Sequence, residues 1–394
     1  MNVFVCAVLA FSLQLLPSFT VFAKESKPKI PIILPDWADQ STPLLGNEPV
    51  YIVPRIQTRL KRFLKNRANP VAAVMLVSVK TGEVLAMVQG DDPSNWGGHH
   101  NTNLHPNFPA ASLFKTVVAA ATLETMDFDS LEKDTLDGGC ARVSPKGHWM
   151  RNDIKGRKFR INLRRAYGSS CNGFFARLAI NEIGLGPILN MAEKFGWADK
   201  PVDADFTIPV SPMSAPNPKT SSAHQVGEFA AGFGYVGLSV AHASWQMLAI
   251  ANAGYAKPLK LFQNSDDDAY PGPIPHIQLF SKETADELLS IMDATVLGGT
   301  ASSSFRRRGF RKIRSQIGGK TGTLTGYYPK GVTTWFAGVY PLEKPEVVVA
   351  SVVVLKDLWH VKASGLAAEA VKAYLDDKKS ANLAKSKQKK TLKN

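Results

Sequence analysis

Ser112 and Lys115 stand three residues apart in Ala111-Ser112-Leu113-Phe114-Lys115, and on a helix that spacing puts both side chains on one face. A serine hydroxyl is a weak nucleophile until a neighbouring base takes its proton. A lysine amine serves as that base only when burial or nearby cations bring its pKa down from about 10.4. The pair therefore reads as an acyl-accepting serine beside its activating base. At a helix start, Ser112 also lies among backbone N–H groups that lack intrahelical partners and can stabilise developing negative charge. Alone, the pattern is common, because a capping serine followed by a solvated lysine produces it too. Two further clusters follow in order, Ser170-Cys171-Asn172 and Gly318-Gly319-Lys320-Thr321-Gly322-Thr323. A cation among hydroxyls, as in the last, suits an anion. Three ordered clusters are much harder to obtain by chance than one.

These clusters must be held by elements that the apolar pattern outlines. Two strand-like runs, 72–79 and 83–88, flank Lys80-Thr81-Gly82 and read as a hairpin. This earlier Lys-Thr-Gly precedes the serine and is assigned to the turn. Apolar residues at helical spacing mark helices over 113–125, 173–182, 186–195, 239–253 and 282–296, and a short basic helix near 55–66. Strand-like runs follow at 314–323, 332–340 and 346–355, then an amphipathic helix over about 363–376. If the late strands pair with the hairpin, the fold is α/β: a five-stranded, mainly antiparallel sheet with helices on both faces and an all-helical subdomain.

The chain of 394 residues is 44% hydrophobic, which is a globular composition. Residues 1–23 carry no charge and are largely apolar, so they read as an export signal or an uncleaved anchor. Residues 24–69 are a proline-rich linker and short helix, 70–377 the folded domain, and 378–394 a basic tail. The tail has seven lysines (378, 379, 385, 387, 389, 390 and 393) and no acid, so it is expected to be disordered, with contact to an anionic surface as one use. Arg306, Arg307, Arg308, Arg311, Lys312 and Arg314 form a second basic run, but export and the lack of any nucleic-acid motif argue against a nucleic-acid partner. His99, His100 and His105 share a loop without metal-ligand spacing, so neither a metal nor another cofactor is expected. Loss of Cys6 with the leader leaves Cys140 and Cys171, an even pair that suits an oxidising compartment; whether they bridge is left open.

Taken together, the three clusters resemble the motifs of the penicillin-binding proteins and serine β-lactamases, over roughly residues 70–376. The hairpin at 77–87, the stretch Phe233-Gly234-Tyr235-Val236-Gly237-Leu238-Ser239, Ile250-Ala251-Asn252-Ala253-Gly254 and Trp335-Phe336-Ala337-Gly338 extend the likeness, which is nearest to the transpeptidase domain. The resemblance implies that Ser112 is acylated, that Lys115 activates it, and that Ser170 relays protons. It implies that Asn172 holds a substrate amide and that Lys320 and Thr323 bind a terminal carboxylate. It also implies an oxyanion hole from the backbone N–H groups of Ser112 and Thr323. Thr321 and Gly322 complete the substrate-binding strand so implied, with Gly322 leaving the edge open to a peptide and the bulk of Thr321 facing away.

The activity so implied is D,D-transpeptidation of peptidoglycan stem peptides in the periplasm or on the outer face of the cytoplasmic membrane, with β-lactams as ligands. D,D-carboxypeptidase activity would follow where water is the acceptor. A class D-like β-lactamase and a non-catalytic β-lactam or peptide sensor are the alternatives; Ser-x-Asn rather than Ser-x-Val at the second motif weighs against the first. Family members of this size class carry a glycosyltransferase or pedestal domain ahead of the transpeptidase. Residues 24–69 leave too little chain for one, so either a separate glycosyltransferase or other cell-wall synthesis partner or a freestanding role is expected.

Overall fold

The computed structural model describes residues 29–30, 35, 40, 42–67, 71–90, 101–131, 133, 135–137, 140, 160–197, 202–263, 277–327, 330–355 and 361–391. The leader, His99 and His100 lie outside them.

The hairpin supplies β1 (Ala72–Ser78) and β2 (Val84–Gln89), and the C-terminal part supplies β3 (Gly318–Tyr327), β4 (Lys330–Tyr340) and β5 (Val347–Leu355). They form one sheet in the order β2-β1-β5-β4-β3, with every neighbouring pair antiparallel. Strand side chains alternate between faces, and both faces here are apolar. Ala73, Met75 and Val77 enter one core, while Ala72, Val74 and Leu76 enter the other. The continuous Val347–Leu355 run follows from this, since a central strand covered on both sides has no polar face to show.

Helix α1 (Pro54–Lys65) and the terminal helix α9 (Ala363–Thr391) cover one face. They are tied by Arg59, whose guanidinium meets Glu369 at 2.7 Å and Asp376 at 2.6 Å. The other face carries α2 (Lys115–Thr125), α3 (Leu163–Ser169), α4 (Asn172–Arg177), α5 (Leu185–Lys194), α6 (Ala223–Ala230), α7 (Val240–Ala251) and α8 (Lys282–Leu297). Side-chain caps start several of these: Asn162 accepts from the Arg165 N–H, Ser239 from His242 and Ser281 from Thr284.

Four expectations change. The basic tail is not disordered from residue 378; α9 runs on to Thr391, because lysine, alanine and serine follow the packed first turns without a breaker. The run beginning at 314 is not strand at its start: Arg311–Arg314 is a helical turn with Ile313 buried, and β3 begins at Gly318. The helix drawn over 173–182 divides into α4 and a π-helical turn, Leu178–Ile183. The subdomain is not all helical, since Thr135–Asp137 pairs with Arg160–Asn162 and Phe108–Pro109 with Gly237–Leu238. Pairs this short leave no readable period.

Candidate active site

The three clusters meet where β3 passes the start of α2. Residues Ala111–Phe114 form a 3-10 turn that leads into α2, so Ser112 sits at the helix entrance and Lys115 at its first full turn. Ala111 has φ +50, a left-handed conformation costing about 1–3 kcal/mol for a non-glycine residue. Gly232, with φ +88, makes the turn possible: a Cβ there would lie 2.1 Å from the Ala111 carbonyl oxygen. On the other side Gly322 brings β3 close, since its Cβ would stand 3.1 Å from the Ala110 oxygen and 3.3 Å from the Ala111 Cβ. Trp335, opposite Gly322 in the register, donates its indole N–H to the Pro109 carbonyl at 2.9 Å and locks the turn to β4.

Ser170-Cys171-Asn172 is the joint between α3 and α4. Ser170 occupies the left-handed position that ends α3, at φ +57, where glycine is usual. The Cys171 N–H returns to the Ala166 carbonyl at 2.8 Å. Helix α3 is held on α8 by a fork in which Arg164 donates to both Asp293 oxygens at 2.6 and 2.9 Å. Cys171 is buried and bonded to Cys140, with Cα atoms 5.2 Å apart, so a covalent tether fixes the middle of the motif. The half-exposed hydroxyl of Ser170 and amide of Asn172 are left at the cleft.

Lys115 is fully buried. Its Nζ lies 2.6 Å from Ser112 Oγ, 2.7 Å from Asn172 Oδ1 and 2.6 Å from the Ala231 carbonyl. Burial holds its pKa well below the ordinary lysine value, and the charge of Lys320 lowers it further. A neutral amine has two N–H donors and one lone pair. As placed, Nζ donates to all three oxygens; on losing a proton it would keep two donors for Asn172 Oδ1 and the Ala231 carbonyl and turn its lone pair to the Ser112 hydroxyl. Lys320 is buried too, 5.5 Å from the centre of the Tyr167 ring, with Nζ donating to the Thr321 carbonyl at 3.0 Å; burial pushes its pKa down to about 7.

Ser112, Ser170, Asn172, Thr321, Gly322 and Thr323 line one open cleft of about 210 Å³. Two sequence expectations are adjusted. Lys320, expected at the carboxylate, is buried and absent from the cleft lining, and Thr321, expected to bind substrate with its bulk turned away, stands in the cleft with its hydroxyl against that of Thr300. The cleft also takes Thr300, Thr334, Trp335, Lys362 and Ser364, which sequence reasoning did not single out as site residues. Only Trp335 left a signal, as part of the strand opposite the lysine cluster. Pairing of Trp335 with Gly322 and of Ala337 with Lys320 accounts for it. His105 lies buried with its ring edge-on to Phe108, away from the cleft lining.

The sequence matches the family described as penicillin binding protein transpeptidase domain over residues 72–376. A peptidoglycan D,D-transpeptidase FtsI homolog of Mesostigma viride is 35% identical over 82 residues, which cover 19% of this chain and 13% of that protein's length. The transpeptidase domain of Burkholderia pseudomallei penicillin-binding protein 3 superposes with a TM-score of 0.65 at 20% identity, covering 86% of this chain and 98% of that one. Penicillin-binding protein A of Mycobacterium tuberculosis, solved as an imipenem acyl-enzyme complex, gives 0.61 at 22% identity, covering 84% and 80%. A serine against a buried amine, a strained joint holding a serine and an asparagine, and a β3 edge carrying Lys-Thr-Gly-Thr thus coincide with a match over most of the chain, which belongs to the penicillin-binding protein transpeptidase domain family.

Proposed function

We propose that this chain is a D,D-transpeptidase that works on peptidoglycan stem peptides through an acyl-enzyme on Ser112. The carrying observation is the 2.6 Å contact between Ser112 Oγ and the buried Lys115 amine, which burial and Lys320 together keep deprotonated more readily than a free lysine. Lys115 takes the Oγ proton as Oγ attacks the penultimate carbonyl of a D-Ala-D-Ala terminus. The oxyanion lies between the backbone N–H groups of Ser112 and Thr323, on the rim where β3 meets the turn. As the C–N bond breaks, Ser170 passes the proton to the departing D-alanine amine. With Asn172 Oδ1 engaged by Lys115, its amide N–H groups remain for a substrate carbonyl. An acceptor amine then attacks the ester and gives a cross-link; water gives the shortened peptide.

The family match, the FtsI homolog and the imipenem adduct of the mycobacterial neighbour support this reading and the binding of β-lactams. They also support a site of action outside the cytoplasm. Among the described residues no helix is long and apolar enough to cross a membrane.

Incubation with a D-Ala-D-Ala-ending pentapeptide and excess glycine tests the reading by mass spectrometry. D-alanine release and a glycine-exchanged product, both lost in Ser112→Ala, are expected. Neither product from the wild type would overturn it.

A further inference from the structure

The cleft presents seven side-chain hydroxyls and one side-chain amide but little charge. Both motif lysines are fully buried and absent from its lining, and Lys320 has its donors turned to the Thr321 carbonyl and the Tyr167 ring. Among the described lining residues the cation is Lys362, an exposed side chain that belongs to none of the three motifs.

Its backbone position is fixed. The Lys362 carbonyl accepts the first bonds of α9, from Gly365 at 2.9 Å and Leu366 at 3.2 Å. The next residue, Ala363, donates to Thr334 Oγ1 at 3.2 Å, and Thr334 lies directly across from Thr323 in the sheet. Ser364 is held by Ser304 at 2.7 Å. The start of the terminal helix therefore delivers one charged side chain to the cleft that Thr300, Thr321 and Thr323 also line.

We infer that Lys362 is a specificity-determining residue that supplies the positive charge for the C-terminal carboxylate of the substrate, with the Thr321 and Thr323 hydroxyls as its hydrogen-bonding partners at the anion. Lys320 then acts chiefly from behind the wall, on Lys115. Burial supports this division, because a lysine whose pKa is near 7 is only partly charged at neutral pH and makes a weak permanent counter-ion. The inference rests on the transpeptidase reading for the nature of the ligand.

Binding and acylation separate the two. In a Ser112→Ala background, which cannot be acylated, a D-Ala-D-Ala-ending pentapeptide and its C-terminal amide are titrated by NMR with and without Lys362→Ala. The acid is expected to bind about tenfold more tightly than the amide, the order of a hydrogen bond to a charged group, and Lys362→Ala should erase that preference while Lys362→Arg keeps it. With Ser112 present, Lys362→Glu should slow acylation by benzylpenicillin more than Lys362→Ala does. An acid preference that survives in Lys362→Ala overturns the inference. So does an equal loss of acid and amide binding, which would mark a purely structural role. A Lys362-dependent preference in a protein that never acylates would instead uphold Lys362 and remove the acyl-enzyme reading.

Discussion

At the scale of single residues, the site depends on two lysines kept out of water. Lys115→Met removes the base while preserving much of the volume, and should lower acylation by about 10²–10⁴-fold, the usual contribution of a positioned general base, with a smaller loss of ligand binding because Asn172 Oδ1 loses its partner. Stopped-flow acylation measures both. Because the folded-state pKa values of Lys115 and Lys320 lie below their unfolded values, the unfolded chain binds more protons over the interval between them. Stability should therefore rise with pH across that interval, which for Lys320 runs from about 7 to 10.5. Urea unfolding at pH 7 and pH 9 should show this gain in the wild type and a smaller gain in Lys320→Met. The same substitution removes the charge that helps depress Lys115, so the rising limb of the acylation profile should move to higher pH. The serine, the lysines and the asparagine were legible in the sequence because each sits in a short motif with fixed spacing. Lys362, Thr300 and Ser364 were not: Thr300 reaches the cleft from the turn after α8 and the other two from the start of α9, and nothing local in the chain marks that convergence.

At the scale of elements, strain is concentrated where chemistry is proposed. Ala111 and Ser170, two non-glycine residues with positive φ, flank the cleft, and their conformations are held by Gly232, by β3 and by the Cys171 tether. Replacing Cys140 and Cys171 together with alanine should cost about 2–4 kcal/mol of unfolding free energy, the usual range for closing a loop of this kind. Chemical denaturation, beside a titration of free thiols in the unfolded wild type, checks it, and two free thiols there would contradict the bridge. The long elements were readable from periodicity: α1, α5, α7 and α8 start within a residue or so of the expected positions. What the pattern missed were α3 and α6, whose short lengths leave little period, and the helical turn at Arg311–Arg314, where a basic stretch with one buried isoleucine gave no clear signal.

At the scale of the whole molecule, one sheet separates two cores, and the terminal helix packs into one of them. Its first turns seal the face opposite the cleft and set Lys362, while its last turns are exposed and strongly basic. Lys378 still contributes, donating to Glu346 at 2.6 Å. Deleting residues 379–394 should therefore change the unfolding free energy by no more than about 0.5 kcal/mol, as for surface changes in general; a loss of several kcal/mol would show that the extension packs on the domain. The sheet order was readable only conditionally from sequence. The late strands look alike in composition, and which of them meets the hairpin is decided by long-range packing. Here β5, apolar on both faces, takes the centre, and β3 comes to the edge that the cleft requires.

The most direct test of the account is intact-mass spectrometry of the chain with benzylpenicillin, followed over hours beside Ser112→Ala. An acyl-enzyme on Ser112 should give one covalent equivalent of drug on the wild type, long-lived, mapping to the peptide that holds Ser112 and absent from the variant. An adduct that persists in Ser112→Ala, or no adduct on a folded wild-type protein, would contradict it.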